Sequence, residues 1–304
     1  MAARQTSLLA STTTDFWQQS SLTTTPIIGT PPPQLLKWIG NKQRFARFIT
    51  NEFPDTYRRY YEPFLGSGAV LGAVAPHEGV AGDVIKPLIE MWHLLQNDPQ
   101  LLYESYETNW IKYMADPKPV YTELLKSYND NPNPFDFLFI SRSCYGGVIR
   151  FTKQGRMSTP MGPHKPISPQ KFKERMCLWR DRVKNTEFIH GSFQQTTEDI
   201  GDSDIVYCDP PYVDSQAILY GAQAFKLSDL IAHIAIWKAK GAMVALSIDG
   251  HKKSGAKVIE LEIPDGLFTK QLLIGGGSSM LKRFQSRDEI MVGEDVHDRL
   301  LLTQ

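Results

Sequence analysis

The sequence has few of the features that mark secreted or membrane proteins. Only three cysteines occur among 304 residues, Cys144, Cys177 and Cys208, and their spacing does not match that of metal ligands. An odd and sparse set of cysteines is typical of reduced thiols. No apolar run approaches the ~20 residues that cross a bilayer, and the first residues lack the basic, then apolar, layout of a secretory signal. These absences predict a cytoplasmic protein with no metal site and no membrane partner.

An overall charge of one sign is also missing. Lys and Arg number 33 and are balanced by 33 Asp and Glu, so the formal net charge is zero. The charges are nevertheless segregated. Residues 142–184 carry eleven basic and two acidic residues, a local charge of +9, whereas residues 185–214 carry seven acids and no Lys or Arg. Such a basic segment is expected of a surface that binds phosphates, although an ordinary solvated surface also accounts for it.

The hydrophobic pattern predicts an α/β fold. Apolar residues make up 41% of the chain, which is enough for a sizeable core. Predicted strands (57–62, 80–83, 187–190, 205–208 and 243–248) alternate with predicted helices (69–75, 85–95, 170–184 and 228–240, the last with Ser228 as N-cap). Further strands are predicted over 258–263 and 289–292. A largely helical stretch, with helices over 101–128 and 135–141, interrupts the alternation, and residues 1–33, rich in Ser, Thr and Pro, predict a flexible tail.

The most informative motif is a four-residue turn. The mostly apolar run 204–208 predicts a buried strand, and Asp209-Pro210-Pro211-Tyr212 follows it directly. This turn places a carboxylate, a rigid carbonyl and an aromatic face at the mouth of a cleft, where they can hold an exocyclic amino group on a flat heterocycle. Taken alone, the motif is equally consistent with a Pro-Pro turn that carries an incidental tyrosine.

A second motif predicts a nucleoside site. Gly66 and Gly68 lie where a predicted strand turns into a predicted helix, and Asp83 ends the next predicted strand. Glycine lets a ligand approach backbone N–H groups closely, and an acid at that position can accept the hydroxyls of a ribose. The third glycine of a dinucleotide fingerprint is absent, since Leu71 stands in its place, which favours a nucleoside over NAD. A glycine turn with a capping aspartate is the alternative.

These motifs together resemble the Dam-type DNA adenine-N6 methyltransferases, which depend on S-adenosylmethionine. The resemblance covers about residues 35–293. It comprises four motifs in the family's order: Lys37-Trp38-x-Gly40-x-Lys42, Glu62-Pro63-Phe64-x-Gly66-x-Gly68, Gly82-Asp83 and Asp209-Pro210-Pro211-Tyr212. It implies a Rossmann-like methyltransferase sheet with an inserted, mostly helical target-recognition domain. The catalytic domain would then comprise residues 34–90 and 186–304, and the inserted DNA-binding domain residues 91–185.

The resemblance also implies roles for individual residues. Asp209, Pro210, Pro211 and Tyr212 would be catalytic. The S-adenosylmethionine site would be formed by Lys37, Trp38, Lys42, Glu62, Pro63, Phe64, Gly66, Ser67, Gly68, Asp83 and Asp209. DNA would be bound by Arg142, Tyr145, Arg150, Lys153, Arg156 and Lys165. Gly146 and Thr152 stand where the family usually has asparagine, so the target sequence of a relative does not transfer to this chain.

The predicted function is methyl transfer from S-adenosylmethionine to N6 of a flipped-out adenine in duplex DNA, within a restriction-modification system that includes a restriction endonuclease. Methylation of cytosine N4 or of RNA adenine would use the same turn. A glutamine-directed protein methyltransferase usually has asparagine in place of Asp209, which argues against that class. A catalytically silent DNA-binding protein and an NAD oxidoreductase are the remaining alternatives.

Overall fold

A computed structural model of the chain describes residues 29–152, 154–211, 225–248, 263–276 and 296–304. Within these ranges seven strands form one sheet in the order β3-β2-β1-β4-β5-β7-β6. Strands β1 to β5 run parallel, and β7 pairs antiparallel with both β5 and β6. Strands β1 to β7 are Tyr60–Glu62, Gly79–Asp83, Thr186–His190, Ile205–Cys208, Met243–Ile248, Lys270–Gly276 and Val296–Leu302.

Helices cover both faces of this sheet. Helices α1 to α9 are Ala46–Thr50, Ala69–Val74, Lys86–Asn97, Pro99–Ala115, Pro117–Asp130, Pro134–Ser143, Pro169–Val183, Phe193–Thr196 and Leu227–Ala239. Five of them, α3 to α7, begin with proline at the first or second helical position, where its missing N–H costs nothing. In the part of the chain that the structure describes, we find no helix with the length and apolar character needed to span a membrane.

Alternation along the strands divides the core in two. On β4, Ile205 and Tyr207 face one cluster of buried residues, whereas Val206 and Cys208 face the other. The first core lies under α2, α3 and α7, and the second lies under α8 and α9. Because successive side chains of a strand point to opposite faces, a fully apolar strand serves both cores. The layers are therefore helix, sheet and helix, which confirms the predicted α/β class.

The residues between β2 and β3 are mostly helical and belong to the first core. They form α3 to α7, and the rings of Tyr106 and Phe172 stack at 3.9 Å between α4 and α7. The stacked rings of Trp92 and Phe188, 5.6 Å apart, join this region to β3. The buried residues of the helical segment and of the sheet thus form one continuous cluster.

Strand order creates a switch point between β1 and β4. The chain passes from β1 to β2 and β3 on one side, and then returns to β4 on the other side of β1. The loops that leave the carboxyl ends of β1 and β4 consequently diverge and open a crevice. The Pro63–Gly68 turn and Asp209 follow these two strand ends, so the two most informative motifs meet at one place.

Most predicted elements are confirmed, and the differences have local causes. The helix predicted over 101–128 is two helices, since Pro117 begins a new one. Helix α9 begins at Leu227, so Ser228 lies inside it and the predicted cap is wrong. The predicted tail extends too far, because Pro31 and Pro32 are buried. The strand predicted over 289–292, and all but the last residue of that predicted over 258–263, lie outside the described residues.

Candidate active site

The crevice at the switch point contains a cavity of about 240 Å³. Its walls come from the ends of β1, β2 and β4, from the segment before α1, from the start of α8 and from the start of α9. Both proline residues of the Asp209 turn line it, as do nine of the predicted cofactor residues: Trp38, Lys42, Glu62, Pro63, Phe64, Gly66, Ser67, Asp83 and Asp209. Tyr212 lies outside the described residues.

An ion pair lies at the end of β4. Nζ of Lys42 donates to Oδ1 of Asp209 at 2.7 Å and to Oδ2 at 2.9 Å, and also to the carbonyl of Gly40 at 3.2 Å. Lys42 is 4% exposed and Asp209 is 20% exposed. The ammonium group therefore contacts both oxygens of the carboxylate and fixes its orientation, and the carboxylate lines the cavity. The sequence motifs place Lys42 in the cofactor site but do not pair it with Asp209.

Glu62 at the end of β1 is a second acidic group in the cavity wall. The hydroxyl of Tyr60 donates to Oε2 of Glu62 at 2.6 Å, and the Glu62 side chain is 2% exposed. Burial, opposed by the hydrogen bond from Tyr60 and reinforced by the negative charge of Asp209, raises the pKa of Glu62 to about 8. Its surroundings therefore favour the protonated form of Glu62, and Asp209 is the carboxylate in contact with Lys42.

The glycine turn between β1 and α2 is tied to the end of β2. Gly66 and Gly68 have φ of 48° and 66°, in the left-handed region that glycine adopts without strain. Backbone N–H of Gly66 donates to Oδ2 of Asp83 at 3.1 Å, and that of Ile85 donates to Oδ1 at 3.0 Å. Burial raises the pKa of Asp83, and these backbone N–H groups oppose the shift. The turn and the acid predicted to bind one ligand are thus in direct contact.

Aromatic rings form one wall of the cavity. Phe64 stacks on Phe193 at 5.7 Å and meets Phe225 edge-on at 5.5 Å. A side chain on Gly66 would lie 2.8 Å from Nε1 of Trp38, so the glycine turn and the indole are in close contact. Phe193 and Phe225 were not predicted, since each lies in a different part of the chain and neither belongs to a recognisable motif.

Two predicted cofactor residues lie outside the lining of the cavity. Gly68 precedes α2 as its N-cap residue. Lys37 contacts the turn at Gly147, where an added Cβ would be 2.8 Å from Cβ of Lys37. Burial and the nearby charge of Arg142 lower the pKa of Lys37. Neither residue lines the cavity, although each is next to residues that do.

The predicted DNA contacts divide into two groups. Arg142 is 3% exposed, and its Nη1 donates to the carbonyls of Gln34 at 3.1 Å and Leu35 at 2.9 Å. The guanidinium is thus occupied inside the protein, and the prediction that it contacts DNA is corrected. Burial lowers the pKa of Arg142 to about 10, which leaves it charged at neutral pH. The number of charges in a segment does not predict this structural role of Arg142, because it does not show which buried carbonyls need a hydrogen-bond donor.

The other predicted DNA contacts lie on a hairpin-like segment, 144–162. Bridges between Cys144 and Met161 and between Phe151 and Met157 hold it together. Arg150 and Arg156 are exposed on it, Lys165 is exposed just beyond it, and Tyr145 is half-buried at its base. Lys153 lies outside the described residues. Three of the predicted basic contacts are thus exposed and available to a partner.

The known proteins that this chain resembles are all methyltransferases in the matches described below. The profile of the D12 class N6 adenine-specific DNA methyltransferases matches residues 38–243. A DNA adenine methylase of Vibrio cholerae is 26% identical over 277 residues, which cover 88% of this chain and 94% of the relative. A DNA N-6-adenine-methyltransferase of Escherichia phage P1 is 28% identical over 74% of this chain and 29% of its own length. The type II methyltransferase M.MjaIII of Methanocaldococcus jannaschii is 27% identical over 58% of this chain and 68% of its own length.

The matched region runs from Trp38 at the cavity to Met243 at the start of β5, and so includes the glycine turn, the hairpin-like segment and the Lys42–Asp209 pair. It spans more than half of the chain, and the family is the one that the motifs predicted. The chain belongs to the D12 class of N6 adenine-specific DNA methyltransferases and is an adenine-specific DNA methyltransferase.

Proposed function

We propose that this enzyme takes its methyl group from S-adenosylmethionine and transfers it to an adenine that has been flipped out of duplex DNA. The observation that carries the proposal is the position of Asp209. Its carboxylate lies at the mouth of a cavity at the switch point, fixed by Lys42 and followed by two prolines. A hydrogen-bond acceptor held in this way favours the charge that develops on a reacting amino group.

The residues of the cavity fit a nucleoside with a sulfonium. The carboxylate of Asp83 retains lone pairs for ribose hydroxyls beyond those that accept from Gly66 and Ile85. Gly66, Trp38 and Phe64 line the cavity, and the two aromatic rings offer flat apolar faces. When bound, S-adenosylmethionine supplies an electrophilic methyl group carried on positively charged sulfur.

The Asp209 turn prepares the amino group for attack. The N6 lone pair of adenine is conjugated with the ring, which makes the nitrogen a poor nucleophile. When the Asp209 carboxylate and the Pro210 carbonyl each accept one N–H, the nitrogen can become pyramidal and release its lone pair. Pro210 and Pro211 restrict the backbone, so both acceptors are in place before reaction. Tyr212 supplies the stacking face for the flipped base.

The helical insertion and its hairpin-like segment bind duplex DNA in this proposal. In this proposal residues 91–185 form the target-recognition domain, and residues 34–90 and 186–304 form the catalytic domain. Tyr145, Arg150, Lys153, Arg156 and Lys165 contact the DNA. The exposure of Arg150, Arg156 and Lys165 supports this assignment. Phosphate contacts offset the few kcal/mol that extruding a base costs.

Replacing Asp83 by asparagine is expected to weaken S-adenosylmethionine binding by about ten- to a hundredfold, since a charge-assisted hydrogen bond to the ribose is lost. Calorimetric titration of the purified enzyme measures the change. Asp199→Asn, at an exposed position, serves as the matched control and should bind normally. Unchanged affinity in the Asp83 variant, or tight binding of NAD by the unsubstituted enzyme, would contradict the proposed site.

Removing two exposed arginines is expected to reduce the salt dependence of DNA binding. Each lost phosphate contact lowers the slope of log K against log salt by about 0.9, so Arg150→Gln with Arg156→Gln should lower it by about 2. The control is Lys240→Gln with Lys270→Gln. Both lysines are exposed and lie outside residues 91–185. If the slope of log K against log salt were equal in the two double variants, the hairpin-like segment would not contact DNA.

We also propose that the enzyme acts with a restriction endonuclease in a restriction-modification system. A type II methyltransferase among the relatives supports this role. Several other relatives are named only as DNA adenine methylases, so a role without an endonuclease is the alternative. Sensitivity of unmethylated host DNA to an endonuclease encoded beside this gene, and protection after methylation, would distinguish the two.

A further inference from the structure

The segment that leads to Lys42 is held by the helical insertion. We refer to residues 31–42 as the strap. Nη1 of Arg175 on α7 donates to the carbonyl of Gln34 at 2.6 Å, and Nη1 of Arg142 on α6 donates to the same carbonyl at 3.1 Å. Nε1 of Trp179 donates to the carbonyl of Pro33 at 2.9 Å. Three side chains of the insertion thus donate hydrogen bonds to three successive backbone carbonyls of the strap, those of Pro33, Gln34 and Leu35.

Hydrogen bonds within the strap connect Gln34 to the residue that precedes Lys42. Nε2 of Gln34 donates to Oδ1 of Asn41 at 2.8 Å, and Nδ2 of Asn41 donates to the carbonyl of Trp38 at 2.7 Å. Lys42 follows Asn41 directly, and its Nζ contacts both oxygens of Asp209. Hydrogen bonds therefore connect Arg175 to Gln34 and Gln34 to Asn41, and the peptide bond connects Asn41 to Lys42, which orients Asp209.

The hairpin-like segment contacts the same strap. An added Cβ on Gly147 would lie 2.8 Å from Cβ of Lys37 and 3.2 Å from its backbone carbon. Gly147 has φ of 72°, so the turn brings its backbone against the strap where other residues would not fit. A displacement of this segment by DNA would press directly on the strap.

We propose that Gln34 and Asn41 are positioning residues, which couple the helical insertion to Asp209 by holding Lys42 in place. The inference rests on the proposed role of the insertion in DNA binding. Gln34 and Asn41 are half-buried, and polar networks that pack in this way have discrete arrangements, so a small shift at one end changes the geometry at the other. Binding of DNA to the insertion would in this way change the position of Lys42, and hence the orientation of the Asp209 carboxylate, before the flipped base enters the site.

The test is Gln34→Ala, which removes the link to Asn41 and leaves the Gln34 carbonyl for both arginines. We expect kcat to fall about tenfold, as for one lost hydrogen bond, with KM for DNA and for S-adenosylmethionine changed by less than about twofold. Gln170→Ala is the matched control, because Gln170 is exposed on α7 and donates to Glu174. A normal kcat in Gln34→Ala, or a loss confined to KM, would overturn the inference.

A double variant tests whether the two ends act along one path. If Arg175 and Gln34 both work through the strap, Arg175→Ala combined with Gln34→Ala should be no slower than the slower single variant. Losses that multiply would show two independent effects and contradict the coupling.

Hydrogen exchange gives a readout that does not depend on activity. Amides 37–43 should exchange faster in Gln34→Ala than in the unsubstituted enzyme, while those of β1 exchange as before. Unchanged exchange over 37–43 would refute the positioning role. If the unsubstituted enzyme transferred no methyl group, that failure would belong to the proposed function, and the exchange measurement alone would decide this inference.

Discussion

Asp209→Asn is expected to lower the rate of methyl transfer on the order of a thousandfold while S-adenosylmethionine still binds. The amide has nearly the same shape as the carboxylate, but it carries no charge and presents only one acceptor. It therefore cannot draw a proton of the N6 amino group as the carboxylate does. Single-turnover transfer to DNA measures the rate, and calorimetry measures binding of the methyl donor.

Two further variants separate chemistry from folding. Asp209→Ala should be at least as slow, but it also leaves Lys42, which is 4% exposed, without its carboxylate, and so it should melt at a lower temperature. Asp199→Asn changes an exposed carboxyl ten residues earlier and should be fully active. Near-normal transfer by Asp209→Asn would exclude the proposed mechanism, whatever the other variants do.

Lys42→Met is expected to lower kcat about a hundredfold, because the Asp209 carboxylate loses the group that orients it and balances its charge. Methionine fills a similar volume, so the buried site stays closed and the protein should remain folded. The distances of 2.7 and 2.9 Å from Nζ to the two carboxylate oxygens are the basis for this expectation. Steady-state kinetics with saturating DNA and methyl donor would measure the effect.

Lys270→Met is the matched control for Lys42→Met, since Lys270 is 50% exposed and its ion pair with Glu52 lies at the surface. It should change kcat by less than about twofold, as exposed ion pairs contribute little. The variant that combines Lys42→Met with Asp209→Asn should be no slower than Asp209→Asn alone, since both changes act on one carboxylate. A normal kcat in Lys42→Met would show that the ion pair has no catalytic role.

The parts of the fold that the sequence predicts well are those with local signals. Strand β4 and the Asp209 turn are adjacent in the chain, as are β1, the glycine turn and α2. Apolar runs, glycine and proline determine such units within a few residues. The antiparallel pair β6 and β7 was missed because its pairing joins distant residues, such as Lys270 and Leu302, whose neighbours carry weaker patterns.

The sequence predicts which residues lie in the site, but it does not predict which of them contact one another. The motifs bring Gly66, Asp83 and Asp209 to one cavity, yet Lys42 and Asp209 are 167 residues apart and no local pattern pairs them. Arg142 shows the opposite case, since a basic segment predicts phosphate contacts and the folded chain uses this arginine for buried carbonyls. Whether a charged residue is exposed depends on packing that only the tertiary structure determines.

The central claim is tested most directly by following a labelled methyl group from S-adenosylmethionine into unmethylated duplex DNA, with nucleoside analysis of the product. Asp209→Asn serves as the blank, and single-stranded RNA as the competing substrate. The account predicts N6-methyladenine in the DNA, little in the RNA and none with the variant. Label recovered as N4-methylcytosine, or found only in RNA, would contradict it.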